Sequence, residues 1–369
     1  MRQQKLSRSR RKFLRNFWFA TAGIAAGIGS RGSLKAMGHD KRKLGVALLG
    51  LGRYAGGQLA PALQETKQCY LAGVVTGHPE KAEAWTAKYN LKRASVYNYE
   101  NFDRIADNKE IDIVYVVTPV SLHPDFAIRA AKAGKHVVSE KPMAVSVAEC
   151  DRMIAACKQA KVKLGLGYRL HYDPFHKEMV RLSSEKELGP FTKLTGNFSF
   201  VMREHEWRIE KQLGGGGAMM DVGIYVIHGS CMATGLTPVS VRAHEEPKLR
   251  PEFFNETEEA ITWTMDFPNG AKLEASTSFN ANANRLRAEG KQGWIDFSQA
   301  FSYRGLVCNT SRGPMTFPTI NQQAAQMDDF ADCVLTGRET PVPGELGRRD
   351  IKIISAIYES ARTGKSVRV

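Results

Sequence analysis

The chain has 369 residues, of which 43% are hydrophobic and 24% are charged. This length allows two domains of ordinary size, and the composition excludes intrinsically disordered and fibrous proteins. The formal net charge is +14, but residues 1–36 contain nine Lys or Arg and no acidic residue, and the other 43 basic and 38 acidic residues leave a balance of +5. The basicity therefore does not indicate a nucleic-acid-binding protein.

Residues 1–36 have the three parts of a bacterial export signal. The pair Arg10-Arg11 precedes a short apolar run at 17–29, and residues 33–36 offer a small-residue cleavage site. This pattern predicts a twin-arginine signal peptide and a periplasmic protein with no stable membrane insertion after processing. The alternative is an uncleaved membrane anchor, but a membrane span needs roughly 20 apolar residues and this run is shorter.

Residues 43–165 alternate between short apolar runs and helical patterns. The apolar runs cover 44–49, 70–76, 111–118, 136–139 and 162–167. The helical patterns between them reach about Glu65 and then cover 79–89, 122–133 and 146–160. Apolar runs without alternation are typical of parallel strands that are covered on both faces. The sequence therefore predicts an α/β Rossmann domain with a doubly wound parallel sheet.

The rhythm changes in residues 166–340, which are predicted to form an α+β substrate and oligomerisation domain. Helical patterns occur at 174–186, 217–234 and 322–336, and strand-like segments at 191–203, 238–245, 257–267, 270–280, 284–290 and 292–297. Hairpin signals between the alternating segments predict an open, mostly antiparallel sheet. An uncovered face of such a sheet is a natural contact surface between copies, which predicts a homodimer or homotetramer. Residues 341–369, with a helix at 346–363, are expected to pack back on the Rossmann domain.

The cysteines and histidines show no metal-binding pattern. Six Cys are scattered without a CxxC pair, and nine His show no spacing with Cys or carboxylates that would ligate zinc. We therefore predict no metal. Disulfides are possible in the periplasm, but scattered Cys in a chain of this size indicate buried free thiols.

Two features indicate a dinucleotide site. Gly50, Gly52 and Ala55 form a G-x-G-x-x-A pattern between the first strand and its helix, where a helix N-terminus favours a pyrophosphate. NAD-binding proteins usually have Asp or Glu at the end of the second strand. Here that strand ends at Thr76 without an acid, and Lys81 follows on the next helix. A hydroxyl and a cation suit the 2′-phosphate of NADP, so NAD is the less favoured cofactor.

Two further segments carry candidate catalytic residues. The fourth strand is followed by Glu140-Lys141-Pro142, which puts Lys141 at the carboxyl edge of the sheet. Asp221 and Tyr225 follow a run of four Gly and share one face of a helix. From the residues alone, a surface lysine, a solvated Asp and a core Tyr remain alternatives.

Residues 43–369 resemble the Gfo/Idh/MocA oxidoreductases, and most of all the glucose–fructose oxidoreductase branch of that family. The motifs that carry the resemblance are GLGRYA at 50–55, TGHPEKA at 76–82, EKPMA at 140–144, GYRLHYDP at 167–174, EWRI at 206–209, GGGAMMDVGIY at 215–225 and QMDDFADCV at 326–334. The combination of EKP with D-x-G-x-Y is specific to the family.

The resemblance implies a role for each matching residue. Lys141 and Tyr225 match the catalytic lysine and the proton-transferring residue, and Asp221 matches the aspartate that positions the substrate. The implied cofactor-binding residues are Gly50, Gly52, Arg53, Tyr54, Ala55, Thr76, Gly77, Lys81, Thr118, Pro119, His123, Glu140, Lys141 and Arg169. The implied substrate-binding residues are Lys141, Tyr168, His171, Tyr172, Trp207, Arg208, Asp221 and Tyr225. The aromatic and cationic cluster among them has an alternative role in domain packing.

The resemblance also implies a reaction. An aldose would be oxidised at C1 to the lactone, with Tyr225 taking the proton and Lys141 favouring its phenolate form. A second sugar would then be reduced with the same bound NADP. The branch has a long Pro-rich arm before its first strand, whereas only Met37 to Arg42 stand there in this chain; this departure puts permanent cofactor retention and tetramer formation in doubt. The alternatives are an NAD-dependent glycoside hydrolase of the same family and a non-catalytic nucleotide- or sugar-binding protein.

Overall fold

A computed structural model describes residues 42–369, so the predicted export signal and most of the short segment before the first strand lie outside the described residues. The first half of the described chain alternates strands and helices. Its elements are β1 (Leu44–Leu49), α1 (Ala60–Leu63), β2 (Cys69–Val75), α2 (Pro79–Tyr89), β3 (Val96–Tyr97), β4 (Ile113–Val116), α3 (His123–Lys132), β5 (His136–Ser139), α4 (Val147–Gln159) and β6 (Leu164–Leu166).

The first sheet is fully parallel, with the strand order β3-β2-β1-β4-β5-β6. Every residue of β1 and β4 is buried, because helices cover both faces of the sheet. The prediction of a doubly wound sheet is thus confirmed, and the sequence missed only the two-residue strand β3. The carboxyl ends of β1, β4 and β5 meet at one edge, where doubly wound folds bind ligands.

The second half of the chain begins with a helix and continues mainly with strands. Its elements are α5 (Pro174–Ser184), β7 (Phe191–Ser199), α6 (Lys211–Gly214), α7 (Ile224–Thr234), β8 (Ser240–Glu245), β9 (Ala260–Asp266), β10 (Lys272–Ser278), β11 (Ala283–Gly290), β12 (Gly293–Ser298), β13 (Val307–Thr310), β14 (Gly313–Met315), α8 (Gln322–Thr336), α9 (Gly344–Thr363) and β15 (Val367–Arg368).

The second sheet has nine strands in the order β14-β13-β12-β11-β7-β10-β9-β8-β15. Its pairs are antiparallel except for β7 with β10, which confirms the mostly antiparallel prediction. The largely buried helix α7 covers one face. It approaches β7 closely because Gly196 has no side chain; a Cβ there would lie 2.4 Å from Cγ1 of Val226. The strands β13, β14 and β15 were not predicted from the sequence.

The last two long helices tie the sheets together. Helix α8 packs on the first sheet, since Met327 and Phe330 belong to one buried cluster with Val46 and Leu48 of β1. Helix α8 also contacts the helical turn at 169–172, which belongs to the predicted substrate domain. Helix α9 contacts α4 and β6, as expected for a return to the first domain, but it also packs on β8.

Three properties of the described residues bear on compartment and cofactors. No helix within residues 42–369 is long and apolar enough to cross a membrane. Nor does the described part of the chain contain a group of three or more His, Cys, Asp or Glu that could hold a metal ion. All six cysteines are described, free and buried, which confirms the prediction of buried thiols. Burial raises the pKa of five of them to about 12.

Candidate active site

A cleft of about 1330 Å³ runs along the carboxyl ends of the strands of the first sheet and past the end of β7 in the second sheet. One wall comes from the segments after β1, β2, β4 and β5. The other comes from the end of β7, the segment 204–208, the start of α7 and the loop 301–304. The cleft therefore joins the predicted dinucleotide site to the predicted catalytic residues.

The glycine loop after β1 leaves backbone open to the cleft. Gly50 has φ +103°, and a Cβ there would lie 2.8 Å from the carbonyl oxygen of Val117, so only Gly fits. At Gly52 no heavy atom lies within 4 Å of the position a Cβ would take. The chain then enters a π-helical turn (Ala55–Leu59) and α1. Arg53 and Tyr54 border the cleft, but Ala55 does not.

The end of β2 presents the residues predicted to select NADP. Thr76 and Lys81 both border the cleft. Thr76 Oγ1 accepts a hydrogen bond from the His78 backbone N–H at 3.2 Å, and Lys81 has no ion-pair partner among the described residues. Gly77 does not border the cleft, although it was predicted to bind the cofactor. Its missing side chain makes room for Tyr99, whose ring would lie 2.9 Å from a Cβ.

The buried ring of His123 contacts the turn that carries Lys141. The His123 Nδ1 and Nε2 atoms each lie 2.9 Å from a backbone oxygen, those of Pro142 and Thr118 respectively. Burial lowers the pKa of His123 to about 4, and a neutral ring can donate to only one of these two oxygens. Glu140 accepts a hydrogen bond from Tyr115 at 2.7 Å. The predicted cofactor-binding residues that border the cleft here are Thr118, Pro119, His123, Glu140 and Lys141.

The structure brings Lys141, Asp221 and Tyr225 together. Lys141 Nζ donates to the backbone oxygen of Asp221 at 2.7 Å and lies 3.5 Å from its carboxylate Oδ1. The same Nζ lies 4.7 Å from the centroid of the Tyr225 ring. An ammonium from the edge of the first sheet and a phenol from α7 therefore converge on the cleft, as the sequence predicted.

The glycine run before α7 makes this convergence possible. A Cβ on Gly217 would lie 2.0 Å from the backbone oxygen of Glu258, and one on Gly216 would lie 2.0 Å from the hydroxyl oxygen of Tyr358. The Glu258 carboxylate accepts hydrogen bonds from the backbone N–H groups of Gly217 and Met219, both at 2.9 Å. This buried carboxylate fixes the start of the π-helical turn (Met219–Gly223) from which Asp221 projects.

A row of alternating charges crosses the cleft. Glu206 accepts hydrogen bonds from Arg53 of the glycine loop and from Arg208, the latter at 2.6 Å. Arg208 Nε in turn lies 3.4 Å from Asp221 Oδ1. We call Arg53, Glu206, Arg208, Asp221 and Lys141 the charged row. Glu206 was missed at the sequence level, although it begins the EWRI motif; the Trp207 and Arg208 of that motif border the cleft as predicted.

Aromatic residues form the wall around Tyr225. The Phe198 ring packs edge-on against Tyr225 at a centroid distance of 5.5 Å, and the Phe301 ring lies at 5.9 Å. Tyr303 also borders the cleft, and its ring lies 6.1 Å from that of Tyr54. The sequence analysis named none of Phe198, Phe301 and Tyr303, because a strand end and an irregular loop carry no motif for a pocket.

Three predicted substrate-binding residues, Tyr168, His171 and Tyr172, lie outside the lining of this cleft. Tyr168 donates to Asp350 at 2.6 Å, Tyr172 donates to Asp329 at 3.0 Å, and the His171 ring nitrogen lies 2.9 Å from that of His228. None of the three borders the cleft. These contacts with the helices behind the cleft are the kind that the alternative of domain packing expects. Arg169 alone of this segment faces the cleft.

Comparison with known proteins places this site in a family. Residues 44–168 match the profile described as an oxidoreductase family with an NAD-binding Rossmann fold. Residues 176–296 match the C-terminal domain profile of the GFO/IDH/MocA proteins. The chain therefore belongs to the Gfo/Idh/MocA oxidoreductase family.

Individual relatives are similar over nearly the whole described chain. The solved structure of aldose–aldose oxidoreductase from Caulobacter crescentus, complexed with glycerol, is 41% identical with a TM-score of 0.86, and the match covers 89% of this chain and 100% of that one. D-xylose 1-dehydrogenase (NADP+) of Haloarcula marismortui is 29% identical over 339 residues, which are 88% of this chain and 92% of the relative. A second D-xylose 1-dehydrogenase (NADP+), from Haloferax volcanii, is 26% identical over 321 residues.

Proposed function

We propose that this chain is a periplasmic NADP-dependent oxidoreductase that oxidises an aldose at C1 to the lactone. The observation that carries the proposal is the convergence of Lys141, Asp221 and Tyr225 at one end of a cleft whose other end is a glycine loop. The relatives named above support the substrate class and the cofactor, since they are named for acting on aldoses or xylose and two are named for NADP.

The residues of the cleft fit a dinucleotide. The backbone at Gly52 is open to the cleft, so a pyrophosphate can approach it closely. Thr118 Oγ1 is buried with no hydrogen-bond partner among the described residues, which leaves it available to a ligand. Thr76 and Lys81 stand where a 2′-phosphate would lie. When bound, the nicotinamide supplies the acceptor for the hydrogen and electron pair that leave C1 of the sugar.

The chain's own residues then handle the proton. The phenolate form of Tyr225 takes the C1 hydroxyl proton on its oxygen, with the Lys141 ammonium 4.7 Å from the centroid of its ring. Asp221 holds the Lys141 ammonium and is itself held by Arg208 Nε at 3.4 Å. Phe198 and Phe301 pack on the partly buried Tyr225 ring and offer apolar surface to the C–H face of a sugar.

We propose that the same enzyme reduces a second sugar with the cofactor it has just reduced. In this half-reaction a protonated Tyr225 donates to the carbonyl oxygen of the second sugar. Such coupling would free a periplasmic enzyme from needing a pool of NADP. The charged row supports cofactor retention, because the Arg53–Glu206 contact joins the glycine loop to the opposite wall of the cleft.

Replacing Lys81 with Ala is expected to lower kcat/KM for NADP about 10- to 100-fold, because a hydrogen bond to a charged group contributes about 1.5–3 kcal/mol. The value for NAD should stay within about twofold, since NAD has no 2′-phosphate. Initial rates with both cofactors measure the effect, and Lys88→Ala on the same helix is the matched control. An equal loss with both cofactors would show that Lys81 does not read the 2′-phosphate.

We also propose a homodimer or homotetramer. The face of the second sheet that faces away from α7 carries polar side chains such as Arg242, Thr264 and Glu274, and a shallow groove of about 800 Å³ lies on it. Light scattering on the purified protein measures the oligomeric state, and a monomer at all concentrations tested would contradict this proposal.

The decisive test of the proposed activity is a sugar panel. The mature protein is purified, any bound nucleotide is released and identified, and the protein is incubated with aldoses alone, with NADP, and with pairs such as glucose plus fructose. Lactone, aldonate and alditol are then quantified. We expect lactone with NADP, and lactone with an equal amount of reduced sugar in the pairs. Absence of turnover on every sugar, with or without NADP, would overturn the proposal.

A further inference from the structure

Arg169 is a buried cation without a carboxylate partner. Only 2% of the residue is exposed, and no carboxylate of the described residues lies within ion-pair distance of it. Its terminal nitrogens donate to neutral oxygens, those of the Phe301 backbone, the Ser302 backbone at 3.2 Å and the Gln322 side chain at 2.6 Å. A buried charge in this state is costly unless something in the site compensates it.

The compensating groups are phenols. The guanidinium carbon of Arg169 lies 5.0 Å from the centroid of the Tyr225 ring and 4.4 Å from that of Tyr303. The Arg169 Nε atom is buried and has no hydrogen-bond partner among the described residues. Tyr225 therefore has Arg169 near its ring at 5.0 Å and Lys141 near it at 4.7 Å.

The two cations are not equivalent. Lys141 is hydrogen-bonded to the backbone of Asp221 and lies 3.5 Å from its carboxylate, so much of its charge is already balanced. Glu140, adjacent in sequence, adds a second negative charge beside it. Arg169 has no ion-pair partner among the described residues, although Glu140 also interacts with it electrostatically. Its positive charge is therefore less balanced than that of Lys141 and can act on Tyr225. The other titratable groups nearby, Tyr54 and Tyr303, are phenols and bring no positive charge.

We propose that Arg169 is a positioning residue for the reaction: its unbalanced charge stabilises the phenolate of Tyr225, and its bonds to the 301–302 backbone hold Tyr303 over the same site. The assignment rests on the proposed function, in which Tyr225 accepts the proton. This role is distinct from the cofactor-binding role expected at the sequence level; three of the five guanidinium N–H groups of Arg169 donate to protein oxygens.

The test compares pH profiles of kcat/KM for wild type, Arg169→Gln and Arg169→Lys. The part of the profile where kcat/KM rises with pH reflects ionisation of Tyr225. Loss of a cation about 5 Å from the ring should move this rising limb to higher pH by about one unit or more. The Gln variant should regain activity at high pH, and the Lys variant should restore most of the wild-type profile. A uniform loss of rate with an unchanged limb would show that Arg169 only supports the loop, and would overturn the proposal.

Arg250→Gln is the matched control. Arg250 also donates to two backbone oxygens, those of Met202 and Phe279, both at 2.7 Å, and also packs on aromatic rings, but it lies outside the cleft. Its loss should lower stability and leave the pH profile in place. A shift in this variant equal to that of Arg169→Gln would contradict the assignment.

A second readout separates this inference from the proposed function. Tyrosinate absorbance is titrated in the protein without substrate, and subtraction of the Tyr225→Phe titration isolates the Tyr225 phenol. In the Arg169→Gln background, the isolated phenol should ionise at higher pH. If the sugar panel fails while this shift is present, the proposed activity is wrong and the Arg169–Tyr225 coupling stands. If the titration is unchanged, the coupling itself is wrong.

Discussion

Replacing Tyr225 with Phe is expected to lower kcat for sugar oxidation about 10²- to 10⁴-fold, the usual contribution of a positioned acid–base group. The substitution removes the phenolic oxygen that takes the C1 hydroxyl proton and keeps the ring that packs against Phe198 and Phe301. KM for the sugar should change little, because Asp221 and the aromatic wall remain. Steady-state rates of NADP reduction measure both constants.

Tyr303→Phe is the control for this prediction. Tyr303 borders the same cleft and also stacks with Arg169, so its loss tests whether any phenol near the site has the same effect. We expect kcat within about fivefold of wild type, well below the effect of a lost acid–base group. Equal losses in the two variants, or a Tyr225→Phe enzyme with wild-type kcat, would contradict the role given to Tyr225.

Replacing Asp350 with Asn is expected to destabilise the protein by about 3–5 kcal/mol, because breaking a buried ion pair leaves a charge uncompensated. Asp350 is fully buried and accepts hydrogen bonds from Tyr168 at 2.6 Å, His228 at 2.7 Å and Arg349 at 2.8 Å. These partners join α9, α7 and the segment before α5. The free energy of unfolding in urea measures the effect.

Asp151→Asn is the matched control, because Asp151 pairs with Arg348, the neighbour of Arg349, at the surface. Exposed pairs contribute little to stability, so this variant should lose far less stability than Asp350→Asn. A loss at Asp350 as small as that at Asp151 would show that the buried pair contributes little.

The pH dependence of Asp350 has a definite sign. Burial works to raise the pKa of Asp350, but Arg349, His228 and Tyr168 outweigh it and hold the pKa below its usual value. A carboxylate with a lowered folded pKa stabilises the fold at pH values above its unfolded pKa of about 3.9. That stabilisation is lost as the pH falls through the folded pKa. Wild type should therefore lose more stability on acidification than Asp350→Asn.

The parts of the fold that could be predicted are those in which apolar residues follow a recognisable pattern along the sequence. The buried strands β1 and β4 are unbroken apolar runs, and β5 has two Val between a His and a Ser. Each of the three ends next to residues that the parallel arrangement brings to one edge. That arrangement allowed the meeting of Lys141 with Tyr225 to be predicted from two distant motifs. The pattern fails for two-residue strands such as β3, which have too few residues to show any period.

The parts of the fold and site that could not be predicted depend on where side chains and helix faces point, which residue type does not reveal. The GYRLHYDP motif contains plausible sugar-binding residues, but in a tight helical turn each side chain points a different way, and only Arg169 faces the cleft. Likewise, the apolar face of α8 can be recognised in the sequence, but the sheet on which this face packs cannot. In the structure α8 packs on the first sheet. Glu206 could not be recognised as a site residue because its partner Arg53 lies 153 residues away in sequence. The two residues come into contact only in the folded protein.

If the chain is exported as proposed, the burial of all six thiols affects how it could enter an oxidising compartment. Disulfide exchange starts from an accessible thiolate, and in the folded chain burial raises the thiol pKa values and removes access. A chain that crossed a membrane unfolded would instead present six reactive sulfurs that could cross-link in non-native pairs before the core closed around them. Folding before translocation would protect these cysteines without any disulfide-isomerising step.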